Sequence, residues 1–221
     1  MKKQTQRQAT QRLVGIALFS AFSFAVTFVF RIPVAFLTFD AKDAVITVAA
    51  FLYGPLSGVA MSLIAALLEL VTVSSTGLYG FLMNFLSTAV FSFVAAGFYS
   101  RWRRPKGAIL GVSLAVAAMT AAMMLFNLLV TPLYMQVPTA EVASMIPTLL
   151  LPFNLAKGLL NAALALLLYK PLSVALSRAG LIGYREEKKK LSWNRTTLLM
   201  LSATLLMVAA ALTLFFLLKR G

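Results

Sequence analysis

Residues 151–158, Leu-Pro-Phe-Asn-Leu-Ala-Lys-Gly, place an amide and an ammonium three residues apart within a long apolar stretch. Residues with this spacing share one face of a helix, so Asn154 and Lys157 are predicted to point the same way. A lysine at bilayer depth costs ~2.5–3.5 kcal/mol on insertion scales and usually faces a cavity or a partner. The stretch therefore predicts a polar cavity within a helical bundle, with snorkelling of Lys157 to the outer interface as the alternative.

The composition places the whole chain in a membrane. Of the 221 residues, 61% are hydrophobic and only 12% are charged, and the mean hydropathy is +0.90. A soluble fold could not cover so much apolar surface, so we expect an all-α integral membrane protein. The sequence has no cysteine and no histidine, which excludes disulfides and thiolate chemistry and removes the commonest metal ligand.

Apolar length and turn residues predict seven helices. The first six form one bundle within residues 1–179, a basic cytoplasmic linker spans residues 180–195, and an additional transmembrane helix follows. The second helix is short, and the turn at Tyr53-Gly54-Pro55 separates it from the third, so we expect it to be tilted or partly surface-lying. The predicted ranges are 13–30, 44–53, 56–73, 80–99, 108–131, 147–176 and 196–218.

The lysines and arginines predict the orientation. With the N-terminus in the cytoplasm, most of the 20 basic residues flank the cytoplasmic ends of the helices, and Arg31 and Lys42 lie outside. Anionic lipid is the expected neighbour of such short basic flanks, so the net charge of +14 does not indicate nucleic-acid binding. We expect a multi-pass protein of the plasma membrane.

Other polar residues gather in the outer half. Glu69, Asn84 and Asn127 interrupt the third, fourth and fifth apolar runs. The asparagines either line the cavity or hydrogen-bond a neighbouring helix. Glu69 is predicted to neutralise Lys157, to line the cavity or to snorkel to the interface.

The segment after the first helix is expected to be an external loop. Asp43 precedes the second helix and is predicted to cap it through backbone N–H groups. Residues 38–40, Thr-Phe-Asp, alternatively close over a ligand as a lid. Amides both donate and accept hydrogen bonds, so together with one ammonium and nearby aromatic rings they suit a hydroxylated, partly aromatic small molecule.

Several motifs occur in the same order as in a known family. The chain resembles the riboflavin-specific S-components of energy-coupling factor (ECF) transporters, of the RibU type. The resemblance covers roughly residues 10 to 176. The motifs are FLTFD at residues 36–40 with Asp43, LYGPLSG at 52–58, NF at 84–85, AMT at 118–120, Asn127 with PLY at 132–134, and LPFNLAKG at 151–158.

The resemblance implies a binding subunit that captures riboflavin or a related flavin from outside. It would dock on a transmembrane coupling protein with two cytoplasmic ATPases. By motif match, Asn127, Asn154 and Lys157 would contact the ribityl chain and ring edge, while Thr38, Phe39 and Asp40 would line the loop side. The sequence has no Gly-x-x-x-x-Gly-Lys-Ser/Thr loop, so ATP would be used only by the partners.

The resemblance also implies a docking surface on the first helix. The family carries an Ala-x-x-x-Ala pattern there, and Ala17, Ala21 and Ala25 repeat at this spacing. Small residues on one face let helices approach closely, which serves docking or internal packing equally well.

Alternatives remain for the function. The family often has proline after the aspartate that opens the second helix, where Asp43-Ala44-Val45 stands here, and Glu69 is an unexpected acid. These departures keep a different vitamin open as the ligand. An intramembrane enzyme or a scaffold is the alternative from another class, but no catalytic residue or metal site is predicted, because Glu69 is the only carboxylate within a span.

Overall fold

A computed structural model describes residues 2–74, 76–178 and 195–220. Within them the chain forms eight α-helices, one π-helical turn and a two-stranded hairpin. In chain order the elements are α1 (Lys2–Val29), β1 (Arg31–Val34), β2 (Leu37–Asp40), α2 (Lys42–Tyr53), α3 (Pro55–Thr72), α4 (Gly77–Arg101), α5 (Pro105–Met135), α6 (Thr139–Met145), the π-helical turn (Ile146–Leu150), α7 (Leu151–Arg178) and α8 (Arg195–Arg220).

Six segments of the described chain are long and apolar enough to cross a membrane, which confirms the predicted class. Their length suits a hydrocarbon core of ~30 Å at ~1.5 Å per helical residue. They are Ala9–Val29, Pro55–Thr72, Gly77–Arg101, Pro105–Met135, Thr139–Leu172 and Leu198–Leu218.

The short helix α2 lies at the centre of the bundle rather than at its surface. Every residue from Lys42 to Phe51 is buried, and α2 packs against α1, α3, α4 and α7. The expectation that it is partly surface-lying is therefore wrong. The unpaired backbone groups at the ends of α2 need hydrogen-bond partners inside the bundle, since lipid offers none. Gly54, with a φ of 97° that favours glycine, and Pro55 at the start of α3 make the tight turn that reverses the chain.

Several boundaries differ from those predicted. The helix α1 begins at Lys2, well before residue 13, because the polar N-terminal segment continues the helix beyond its apolar part. The predicted sixth helix, residues 147–176, begins inside the π-helical turn, which follows α6 and contains Pro147. Proline lacks a backbone donor, which accounts for the irregular turn. The proposed linker, residues 180–195, lies outside the described residues except for Arg195, where α8 begins.

The predicted external loop is a β-hairpin. Arg31 pairs with Asp40 and Val34 with Leu37 in an antiparallel register, joined by a two-residue turn. Ala35 in this turn adopts a left-handed φ of 51°. The last residues of β2 are buried, so the hairpin folds down onto the bundle and its end lies beside α7.

The helices α4 and α5 pack closely at Gly111. A Cβ at this position would lie 2.6 Å from the carbonyl oxygen of Ala95, which is backbone and cannot move freely. We expect Gly111→Ala to lower the free energy of unfolding by ~1–3 kcal/mol through overpacking. Thermal unfolding followed by circular dichroism in detergent measures this. The matched control is Gly97→Ala, where nothing lies within 4 Å of the new Cβ. Equal unfolding temperatures for both variants would contradict this account of the contact.

Candidate functional site

A cavity of about 140 Å³ lies beside the hairpin among α3, α4, α5 and α7. Seven of the eight predicted binding residues line it, although they come from five different elements. Aromatic side chains complete the wall, among them Phe36, Tyr79 and Phe153. The predicted residues at the cavity are Thr38, Asp40, Glu69, Asn84, Asn127, Asn154 and Lys157.

A buried salt bridge joins α7 to the hairpin at the cavity wall. Lys157 Nζ lies 2.9 Å from Asp40 Oδ2, and both side chains are almost completely buried. Lys157 therefore does not snorkel to the interface. Burial disfavours the ionised Asp40, but the ammoniums of Lys157 and Lys42 outweigh it and hold the pKa of the Asp40 carboxyl below its usual value.

A second buried ion pair joins α2 to α3. Lys42 Nζ lies 2.7 Å from both carboxylate oxygens of Glu69 and 3.9 Å from Asp40 Oδ2. Lys42 is only 2% exposed, so it lies inside the bundle and not on an exposed basic flank. Glu69 lines the cavity, as one alternative predicted, but its close cation is Lys42. Asn84 Nδ2 also donates to Glu69, at 3.1 Å, which ties α4 to α3.

Asp43 is not a helix cap. It lies inside the first turn of α2, whose N-cap is Ala41, and its Oδ1 accepts a 2.6 Å hydrogen bond from the Thr88 hydroxyl of α4. Its other oxygen lies 3.9 Å from Lys157 Nζ. The aspartate turns inward because the ammonium and the hydroxyl offer it partners inside the bundle, where an unpaired charge is costly.

The asparagines of α5 and α7 are buried in the cavity wall. Asn127 Nδ2 donates to Met123 O at 2.7 Å, and Asn154 Nδ2 donates to Leu150 O at 2.8 Å. The bond of Asn127 stays within α5, whereas the interhelical alternative predicted a bond to a neighbouring helix, and the bond of Asn154 reaches the π-helical turn that leads into α7. Each amide has a second donor hydrogen and acceptor lone pairs.

Phe39 is the predicted site residue that does not line the cavity. Side chains alternate across a strand, so Phe39 faces away from its neighbours Thr38 and Asp40. Its ring is buried against Phe153 of α7, with 4.6 Å between ring centroids. Phe39 supports the cavity wall from behind.

Asn161 is a structural residue of the site that the sequence analysis missed. Its Nδ2 donates to Asp40 O and to Lys157 O, and its Oδ1 accepts from the backbone N of Ala44 at 2.9 Å. One side chain thus fixes the end of the hairpin and the start of α2. A signal existed, since Asn154, Lys157 and Asn161 fall at spacings of three and four on one helical face.

An outer depression of about 470 Å³ adjoins the cavity. Phe36, Leu37 and Thr38 of the hairpin line both spaces, as do Arg31 and Tyr134. The inner cavity alone is smaller than the roughly 300–1,000 Å³ of small-molecule sites. Any ligand that extends from one space into the other would contact these shared hairpin side chains.

The predicted docking alanines lie on an open surface. Ala17, Ala21 and Ala25 are all exposed on α1. The alternative of internal packing within the bundle therefore does not apply to them. Among the described residues, no cluster of three acidic, histidine or cysteine side chains is placed to hold a metal ion.

Comparison with known proteins gives a consistent result. A family model described as "ECF transporter, substrate-specific component" matches residues 11–173. The chain is 32% identical to the riboflavin transporter RibU of Staphylococcus aureus (strain TCH60) over 187 residues, which cover 80% of this chain and 98% of the relative. It is 28% identical to the riboflavin transporter FmnP of Bacillus subtilis (strain 168) over 166 residues, which cover 67% and 85%.

A solved structure agrees with these relatives. It is described as the S component of a bacterial ECF transporter, and it superposes with a TM-score of 0.65 at 32% sequence identity. The superposition covers 77% of this chain and 99% of the other. The residues matched by the family model end before α8 begins.

The Lys42–Glu69 pair gives a test of the buried charges. Lys42→Met leaves the Glu69 carboxylate without its close cation, so we expect a loss of ~3–5 kcal/mol in the free energy of unfolding. Adding Glu69→Gln removes that charge and should recover part of the loss. Unfolding by SDS in mixed micelles measures both, with Lys106→Met, at an exposed lysine, as the control. A double variant no more stable than Lys42→Met would contradict the assigned pairing.

Proposed function

Because this chain belongs to the substrate-specific components of ECF transporters, we propose that it binds riboflavin or a closely related flavin from outside the cell and delivers it for uptake. As a member of that family it is a transporter component of the membrane and not an enzyme. The observation that carries the choice of ligand is the cavity wall, which combines amides and an ion pair with aromatic side chains.

The chemistry of the cavity supports a flavin. A ribityl chain carries several hydroxyls, each of which donates and accepts, and the free amide positions of Asn84, Asn127 and Asn154 match such groups. A tricyclic ring needs a flat apolar wall, which Phe36 and Phe153 offer. The relatives named as riboflavin transporters agree with this assignment.

The membrane orientation is part of the proposal. The basic flanks support an N-terminus in the cytoplasm and a hairpin, with the cavity beside it, that faces the outside. Riboflavin would then enter through the outer depression. Asp40 and Lys157 neutralise each other, which suits a site for an uncharged ligand.

The transport partners are inferred from the family. We infer that the chain docks on a transmembrane coupling protein associated with two cytoplasmic ATPases, which alone would use ATP. The exposed alanine row of α1 supports docking there, because small residues permit close helix contact.

Riboflavin binding is the first test. The protein purified in detergent should quench riboflavin fluorescence saturably. Asn154→Leu removes a polar contact without changing the ion pairs and should weaken binding about tenfold, or ~1.4 kcal/mol. The control is Ser202→Leu, since Ser202 also bonds its own helix but is exposed on α8. Absence of quenching by the unaltered protein, or equal affinities of both variants, would reject the proposed ligand or its site.

Docking is tested by uptake. Ala17→Leu and Ala21→Leu add bulk to the proposed contact, so we expect uptake of radiolabelled riboflavin by cells to fall about tenfold, which corresponds to ~1.4 kcal/mol of docking energy. Binding by the purified variants should stay within about twofold. Ala209→Leu adds the same bulk to an exposed position of α8 and serves as the control. Normal uptake by both α1 variants would remove this face from the docking surface.

A further inference from the structure

The helix α8 lies beyond the residues matched by the family model, yet it is packed into the bundle. It lies along α7 and also contacts α5. Thr204, Met207 and Ala211 form its buried side, while Leu205, Leu206 and Leu212 are exposed. One face of α8 thus packs against the bundle. A helix that served only as a lipid-facing anchor would not need such a buried face.

The C-terminal end of α8 reaches the hairpin. The ring of Phe215 meets the ring of Phe39 edge to face, with 5.5 Å between centroids and an interplanar angle of 76°. Leu214 and Leu218 pack against the same cluster, which also contains Phe153. Phe39 is therefore held between α7 and α8, and only 4% of its surface is exposed.

Phe39 connects α8 to the cavity through a single strand. The neighbouring residues Thr38 and Asp40 line the cavity on the opposite face of β2. The salt bridge from Lys157 holds β2 from the cavity side, and the aromatic contact with Phe215 holds it from behind. Movement of the hairpin away from the bundle must either break the contact between Phe39 and Phe215 or move Phe215 together with the hairpin.

We propose that Phe215 is a positioning residue through which α8 holds the hairpin closed over the cavity. The clamp sets the rate at which ligand enters and leaves, because hairpin residues Phe36, Leu37 and Thr38 line both spaces and a ligand must pass them between the outer depression and the inner cavity. The identity of the ligand rests on the proposed function, but the effect on the hairpin does not. The clamp opposes opening of the hairpin in both the ligand-free and the ligand-bound protein. Its loss should therefore change the association and dissociation rates of the ligand more than its Kd.

Hydrogen–deuterium exchange of the ligand-free, full-length protein tests the clamp directly. Phe215→Ala should speed exchange of the hairpin amides, residues 31–40, about tenfold, because an aromatic contact that opposes local opening is lost. The control is Leu217→Ala: Leu217 lies on the same turn of α8 but is 59% exposed, and its truncation should leave hairpin exchange unchanged. Equal hairpin exchange in the Phe215→Ala and unaltered proteins would overturn the proposal.

A conservative variant guards against loss of folding. Phe215→Leu keeps an apolar side chain and should raise hairpin exchange by only about threefold, between the unaltered protein and the alanine variant. If the alanine variant does not fold, the leucine variant alone tests the proposal. Hairpin exchange in the leucine variant identical to that of the unaltered protein would then reject the clamp.

Stopped-flow riboflavin kinetics separate the clamp from the proposed ligand. Phe215→Ala should raise the association and dissociation rates together, about tenfold each, while Kd changes less than about threefold. A rise in Kd with unchanged rates of association would indicate a merely structural contact and overturn the proposal. If the unaltered protein does not bind riboflavin but hairpin exchange responds as expected, the proposed ligand fails and the clamp stands.

Discussion

The pairing of buried charges is the constraint on which this part of the bundle depends. Asp40, Lys42, Asp43, Glu69 and Lys157 are almost completely removed from solvent, and they belong to the hairpin, α2, α3 and α7. Ionised side chains in an apolar interior are tolerated only with partners and hydrogen bonds. In the observed arrangement each lysine contacts a carboxylate, and the third carboxylate, Asp43, accepts a hydrogen bond from Thr88.

The same arrangement creates the cavity. Once Lys157 is paired with Asp40, the end of the hairpin is fixed beside α7, and Asn161 adds hydrogen bonds to both the hairpin and the start of α2. The amides of Asn127 and Asn154 then line the cavity together with the hairpin residues Thr38 and Asp40. The residues that hold these elements together therefore also line the cavity.

The hairpin is held from two chemically different sides. A salt bridge acts at the cavity face of β2, and aromatic packing that includes α8 acts behind it. The cavity-side contact belongs to the part of the chain that the family shares, whereas α8 lies beyond it. The helix α8 thus contacts the back of the hairpin without contributing a side chain to the cavity wall among the described residues.

The chain by itself determined the class, the approximate helices and most of the cavity residues. Apolar runs set the spans, because a bilayer allows few other structures. Polar residues within those runs pointed to the cavity, because unpaired polar groups are costly in lipid. Spacing along one helix was sufficient to group Asn154 with Lys157. These inferences used only local sequence and the properties of the membrane.

Only the tertiary structure decided which partners these residues take. It paired Lys42 with Glu69, turned Asp43 towards Thr88 and directed Phe39 away from the cavity. It also placed Phe215, near the end of the chain, against the hairpin. Such contacts join residues that are distant along the chain, and they arise from the joint packing of several helices. Local periodicity can show that a side chain is buried, but it carries no information about which distant residue that side chain meets.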